Sequence, residues 1–233
     1  MAQQDVMSSY WRGVREGTPF LLVVVPFALL FGVIATEAGL SVFETLSFSV
    51  VVIAGAAQFT AIQLMTDNAP TVVVLISALA VNLRMAMYSA SITPHLGPLP
   101  FWKRAVAAYF LVDQTYAASV LEYERRPDMT LAEKFAFFMG VVTPICPPWY
   151  VATLVGAYMG NAIPAELGLD MVLPIAFIAM LGPALRTRAH IFAALMATVL
   201  ALLFVWVPYN LGLIIAGIGG MMTGAEIERR TGT

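Results

Sequence analysis

An arginine and an aspartate stand where the sequence is otherwise written in aliphatic residues. Arg84 lies in "ALAVNLRMAMYSAS" (78–91), with Asn82 two residues before it and Tyr88 one helical turn beyond. A guanidinium does not shed its proton in a protein, and a charge at the centre of a bilayer costs about 2.5–3.5 kcal/mol on insertion scales. Arg84 therefore needs an anion, backbone carbonyls or water. Asp113 is the natural counterpart. It is the central residue of "AVAAYFLVDQTYAASVL" (105–121), with Gln114 beside it and Tyr109 and Tyr116 at i−4 and i+3 on its helical face. Two readings of the pair stay open: a structural ion pair inside a bundle, or a polar site at mid-membrane.

Two further stretches could do chemistry. Gln58 sits in "VIAGAAQFTAIQL", where small residues permit either close helix packing or a helix break that frees backbone groups. "GVVTPICPPWY" (140–150) holds Pro144, Pro147 and Pro148, which remove three backbone donors and predict a kinked or split helix. A half-helix starting near Pro147 would aim its positive dipole end into the bilayer, where it could receive a carboxylate. The remaining chemistry is sparse. His95 and His190 sit at segment edges and form no ligand cluster, so no metal or other cofactor is expected. Cys146 cannot form an internal disulfide and reads as an inert apolar thiol. The thirteen methionines read as apolar filling. No nucleophile with an acid/base partner stands out, so an enzyme is not expected. No basic patch with interleaved aromatics suggests nucleic acid.

The elements that must position these residues are transmembrane helices. Of 233 residues, 60% are hydrophobic and 11% charged, and the mean hydropathy is +0.85. A soluble domain carries about 25% charged residues, so the solvent here is the lipid bilayer. Seven continuous apolar runs approach the about 20 residues a span needs: 19–36, 43–65, 70–92, 105–121, 135–160, 169–185 and 190–222. The last is too long for one span and carries "WVPYNLG" near its middle, so it divides. The expected fold is an all-α polytopic bundle of seven or eight transmembrane helices with proline-broken segments. A polar lead-in over 1–17 would precede one transporter domain over 18–223 and a polar tail over 224–233. Tyr10 and Trp11 beside Arg12 and Arg15 suggest an interfacial helix in that lead-in. Arginine and lysine placement puts the N-terminus in the cytoplasm, but leaves Lys103 and Arg104 on the wrong side; a re-entrant second segment would relieve that only by misplacing the later loops, so the simple model is kept. A faint echo between 27–40 and 151–164 suggests an internal repeat.

"AGAAQF" (54–59), "NLRMAMYSASITPHL" (82–96) and "VDQTYA" (112–117), in that order and spacing, resemble the AzlC family, the large subunits of bacterial branched-chain amino acid exporters. The opening "GVREGTPFLLVVVPFALLFGV" is also similar to that family's first span. The resemblance implies a multi-pass protein of the bacterial inner membrane. It also implies secondary export of leucine, isoleucine, valine and possibly methionine with a small AzlD-type membrane subunit. Asn82 departs from the family pattern, in which an aspartate is common. On this reading Arg84 receives a substrate carboxylate and Asp113 its ammonium, while Gln58, Asn82, Tyr88 and Gln114 supply hydrogen bonds. Asp113 is then also the candidate for proton coupling. The alternatives are a membrane scaffold without its own path, and a transporter of another small zwitterionic or organic solute.

Overall fold

The computed structural model describes residues 2–160, 185, 187–207 and 211–231, and these are helical almost throughout. The helices are α1 (Ala2–Gly17), α2 (Leu21–Glu37), α3 (Val42–Val51), α4 (Gly55–Thr66), α5 (Thr71–Leu96), α6 (Phe101–Tyr109), α7 (Asp113–Arg125), α8 (Leu131–Gly160), α9 (Arg188–Leu203) and α10 (Leu211–Thr231). Among the described residues, four helical stretches are long and apolar enough to cross a membrane: Asp5–Glu37, Thr71–Leu96, Leu131–Gly160 and Leu211–Arg230. The expected span at 169–185 lies almost wholly outside the described residues, as does the end of the echo segment 151–164.

The chain forms two compact units. The first comprises Met1–Phe59 and Val81–Pro164, the second Thr60–Ala80 and Ala165–Thr233. In the second, α9 and α10 pack on each other: Gly219 lies against Leu200, and Gly220 against Ala197 and the Ala193 carbonyl. The division of the apolar run 190–222 into two helices is thus observed.

The first unit is built on a spine. A single 3₁₀ turn over Thr18–Phe20 joins α1 to α2, and the resulting rod lies along α8. A Cβ on Gly13 would strike the Phe137 carbonyl and one on Gly140 the Tyr10 carbonyl; further along, Gly32 abuts Thr153 and Gly156 abuts Leu29. Small residues let the two backbones touch, which in lipid replaces the hydrophobic drive that water would supply. Residue numbers rise together along the two rods, so they run parallel. The polar lead-in packs on α8: Tyr10 bonds to the Thr143 hydroxyl at 2.8 Å, and a Cβ added at Gly17 would crowd the Pro144 ring. The echoing segments 27–40 and 151–164 sit side by side at Gly32 and Gly156.

Two expectations are corrected. First, α8 is one continuous helix through Pro144, Pro147 and Pro148, with no half-helix beginning at Pro147. Buried packing along the spine holds the segment helical where local propensity would break it; Pro144, Ile145 and Cys146 are all buried. Second, the runs 43–65 and 105–121 are not single spans. After α3 the chain is non-helical over Val52–Ala54 and then folds back: Gln58 on α4 reaches the Phe48 carbonyl and the Ser49 hydroxyl on α3. In a straight helix residues 48 and 58 would be about 15 Å apart.

The run 105–121 breaks in the same way at Phe110–Val112. Lys103, early in α6, places its ammonium 5.2 Å from the Phe135 ring near the start of α8, whereas Tyr109 at the end of α6 meets Tyr150, far along α8. Then α7 returns: Tyr123 donates to the Lys134 carbonyl, and Glu122 pairs with Arg12 at 2.8 Å. Thus α6 and α7 form a hairpin that enters and leaves at one end of α8. The other hairpin enters from the opposite end, since the turn before α3 follows α2 where Val33 packs on Gly160. The two tips meet: the Tyr109 hydroxyl donates to the Val50 carbonyl at 2.6 Å. Irregular backbone at membrane depth is tolerated only where protein buries it or it lines a cavity; Leu111 and Val112 are buried.

The fold-back removes the charge conflict. Lys103, Arg104, Arg12, Arg125, Arg126 and Lys134 all gather at the end of the first unit where α8 begins.

Two predictions follow from this geometry. Gly156→Leu forces a side chain onto the Leu29 backbone, and overpacking costs about 1–3 kcal/mol or more; its melting temperature in detergent falls by several degrees, while Gly217→Ala, in open space, leaves it unchanged. A membrane-impermeant maleimide labels Arg104→Cys and Arg125→Cys from the same side of sealed vesicles and Ser41→Cys from the other, the native Cys146 being buried.

Candidate functional site

Arg84 lies near the middle of α5 (Thr71–Leu96). Asp113 opens α7 immediately after the break. The Arg84 Nη2 stands 3.1 Å from Asp113 Oδ2, and the Tyr88 hydroxyl donates to Oδ1 at 2.9 Å. The amino-terminal end of α7 adds its partial positive charge. Three groups thus converge on the carboxylate. The side chains of Arg84 and Asp113 remain 31% and 37% exposed, so the pair is neither sealed in the core nor fully open. Here Arg84 Nε is buried without a partner, as is the side-chain oxygen of Asn82.

Around the pair, α5 and α7 run parallel and share a seam. Tyr88 and Tyr116 stack with ring centroids 4.2 Å apart and an interplanar angle of 13°. The Tyr116 hydroxyl donates to Ser91 at 2.9 Å. This pairing follows from spacing: Arg84, Tyr88 and Ser91 lie at i, i+4 and i+7 on one face of α5, and Asp113 and Tyr116 at i and i+3 on α7.

The other expected site residues are distributed differently. Asn82 is two positions from Arg84 and Gln114 one from Asp113, so each points round its helix away from its charged neighbour. Both are half-buried. Tyr109, expected at i−4 on the face of Asp113, is carried off by the intervening break to Val50 and Tyr150. Gln58 is not among the contacts of the ion pair. It is fully buried in a second polar cluster on the α3–α4 hairpin. There the Ser49 hydroxyl accepts from Gln58 Nε2 at 3.2 Å and from Trp149 Nε1 at 3.3 Å, and bonds to Thr153 at 3.1 Å. Gln58 Oε1 and the Thr45 hydroxyl are left without partners. Pro144, Pro147 and Pro148 lie within α8 and present no helix terminus.

Sequence reasoning missed Ser49, Ser91, Thr153 and Trp149. Ser91 was open to discovery from its i+7 spacing to Arg84; the others answer only to the fold-back. Among the described residues no three His, Cys, Asp or Glu side chains cluster as a metal site.

The chain can now be set beside known proteins. It is 26% identical over 180 residues to the inner membrane protein YgaZ of Escherichia coli (strain K12), covering 75% of this chain and 72% of that one. It is 28% identical over 218 residues to an uncharacterized membrane protein of Archaeoglobus fulgidus, covering 90% and 91%. A third membrane protein, from Helicobacter pylori, is 26% identical over 180 residues, covering 75% and 76%. No solved structure matches. The family model described as AzlC protein matches residues 19–163, a stretch that contains α2, α8, both hairpins and the Arg84–Asp113 pair. The chain is a membrane protein of the AzlC family.

Proposed function

We propose that this chain is the large subunit of a secondary transporter that exports leucine, isoleucine, valine and related aliphatic amino acids across the bacterial inner membrane. It works with a small AzlD-type membrane subunit and catalyses no covalent chemistry. Its cation-rich end, which includes the N-terminus, faces the cytoplasm, because arginine and lysine are retained there.

The observation that carries this reading is the ion pair halfway along α5, half-exposed, with a buried guanidinium nitrogen left over. A zwitterion brings one carboxylate and one ammonium. Its carboxylate fits the spare donor on Arg84, and its ammonium fits the oxygens of Asp113. The pair compensates both charges while the site is empty and exchanges them for substrate charges without a net change. The hairpin tips support the same reading, since broken helices near the midplane are the usual binding elements of secondary transporters. Membership of the AzlC family supports the substrate class. An apolar pocket distinguishes substrates by only about 1–3 kcal/mol per methylene, so several aliphatic amino acids share the route.

The test is efflux of labelled leucine from preloaded cells expressing the chain with its small partner. Arg84→Gln and Asp113→Asn each lower the initial rate at least tenfold while inserting normally. The double variant, which leaves no unpaired charge, regains stability but not efflux. Wild-type efflux in both correctly inserted single variants would show the pair to be scaffolding.

A further inference from the structure

The polar seam between α5 and α7 does not stop at Ser91. His95 follows it at i+4 on the same face of α5, about 16 Å along the helix from Arg84. On α7 the seam continues through the fully buried Ser119 to Tyr123, whose ring centroid lies 5.0 Å from that of His95. Beyond His95 stands Lys134 of α8, its ammonium 3.4 Å from Nδ1. An ammonium can only donate, so this contact keeps Nδ1 as acceptor and the ring neutral. The charged and titratable groups facing the ring are therefore Tyr123 and Glu124 on α7 and Lys134 on α8.

We propose that this seam is a proton path and that His95 is its cytoplasmic mouth. The inference rests on the transport reading of the Arg84–Asp113 site and adds how that site is coupled. A proton that reaches Asp113 neutralises the carboxylate and displaces the substrate ammonium. It leaves by the seam: Asp113 returns its proton to the Tyr88 hydroxyl. The hydroxyls of Tyr116 and Ser91, and water between Ser91 and His95, each take one proton and release another. His95 Nδ1 turns from the Lys134 ammonium to take the last proton and then loses it to cytoplasmic water. One proton crosses, each hydroxyl ends as it began, and Asp113 is again an anion ready for a substrate ammonium. Lys134 repels the charged imidazole and so drives the final release. No other residue type in the seam cycles between neutral and charged forms near neutral pH.

The experiment uses the full chain, with its co-purified small subunit, in proteoliposomes enclosing a pH-sensitive dye. Two quantities are read: leucine/leucine counterflow at equal pH, which needs no net proton movement, and the proton flux that accompanies net leucine movement. His95→Gln retains an acceptor for Lys134 but cannot carry a proton; Ser91→Ala removes one exposed hydroxyl. The expected result is counterflow within twofold of wild type in both variants, with leucine-coupled proton flux lowered at least fivefold. Coupled flux within twofold of wild type in either folded variant overturns the path, as does wild-type leucine movement without protons. Those results leave the transport reading intact. Absence of leucine counterflow in wild type overturns both.

Discussion

A chain that stops being helical inside hydrocarbon must find partners for its backbone within the protein. Among the described residues, the first unit does so at Val52–Ala54 and at Phe110–Val112, and the rest of that unit is arranged around the constraint. The two interruptions are brought together from opposite ends, joined by the Tyr109 hydroxyl on the Val50 carbonyl. Side chains complete the accounting. Thr115 donates to the Phe110 and Val112 carbonyls while accepting from the Val112 amide, and Gln58 reaches back to the Phe48 carbonyl. Aromatic packing fills the space between the α3–α4 hairpin and the spine, with Phe27, Phe31 and Phe59 in mutual edge contact. Asp113 owes its position to the same constraint. It is the first helical residue after an interruption, so its carboxylate lies at the positive end of α7 and meets the guanidinium of Arg84.

What was legible in the sequence was what composition and spacing encode. Lipid as solvent followed from the scarcity of charge. The pairing of Arg84 with Asp113, and of Tyr88 with both, followed from the cost of a lone charge and from helical periodicity. What was not legible was the shape of the breaks. The tip at Phe110–Leu111–Val112 carries no proline or glycine, and its residues are indistinguishable from a spanning helix. The three prolines at 144, 147 and 148 point the other way, yet that helix is unbroken. Local propensity lost in both cases to tertiary packing: a hairpin tip buried against α3 in the first, a parallel rod pressed along α8 in the second. The charge rule did carry the missing signal. Lys103 and Arg104 stood on the wrong side of any simple count of spans, and the fold-back of α6 and α7 is what puts them right.

Gln58 shows why a residue type alone does not assign a role. The reasoning that placed it with Arg84 used its polarity within an apolar run. Its amide instead ties α4 to α3 through Ser49, which two donors and Thr153 saturate. Arg84 and Gln58 each meet the cost of polarity in lipid, one beside an accessible carboxylate and the other in a closed cluster behind a hairpin.

The parallel rods carry a mechanical consequence. Where Gly13 faces Gly140 and Gly32 faces Gly156, main chain rests on main chain over several turns, with no side chains between to act as bearings. Such a mast neither slides nor splays without losing contacts along its whole height. The hairpins are short, hang from single turns and touch each other through one hydroxyl, so any stroke that opens one membrane face and then the other belongs to them, with the mast as the stator against which they work.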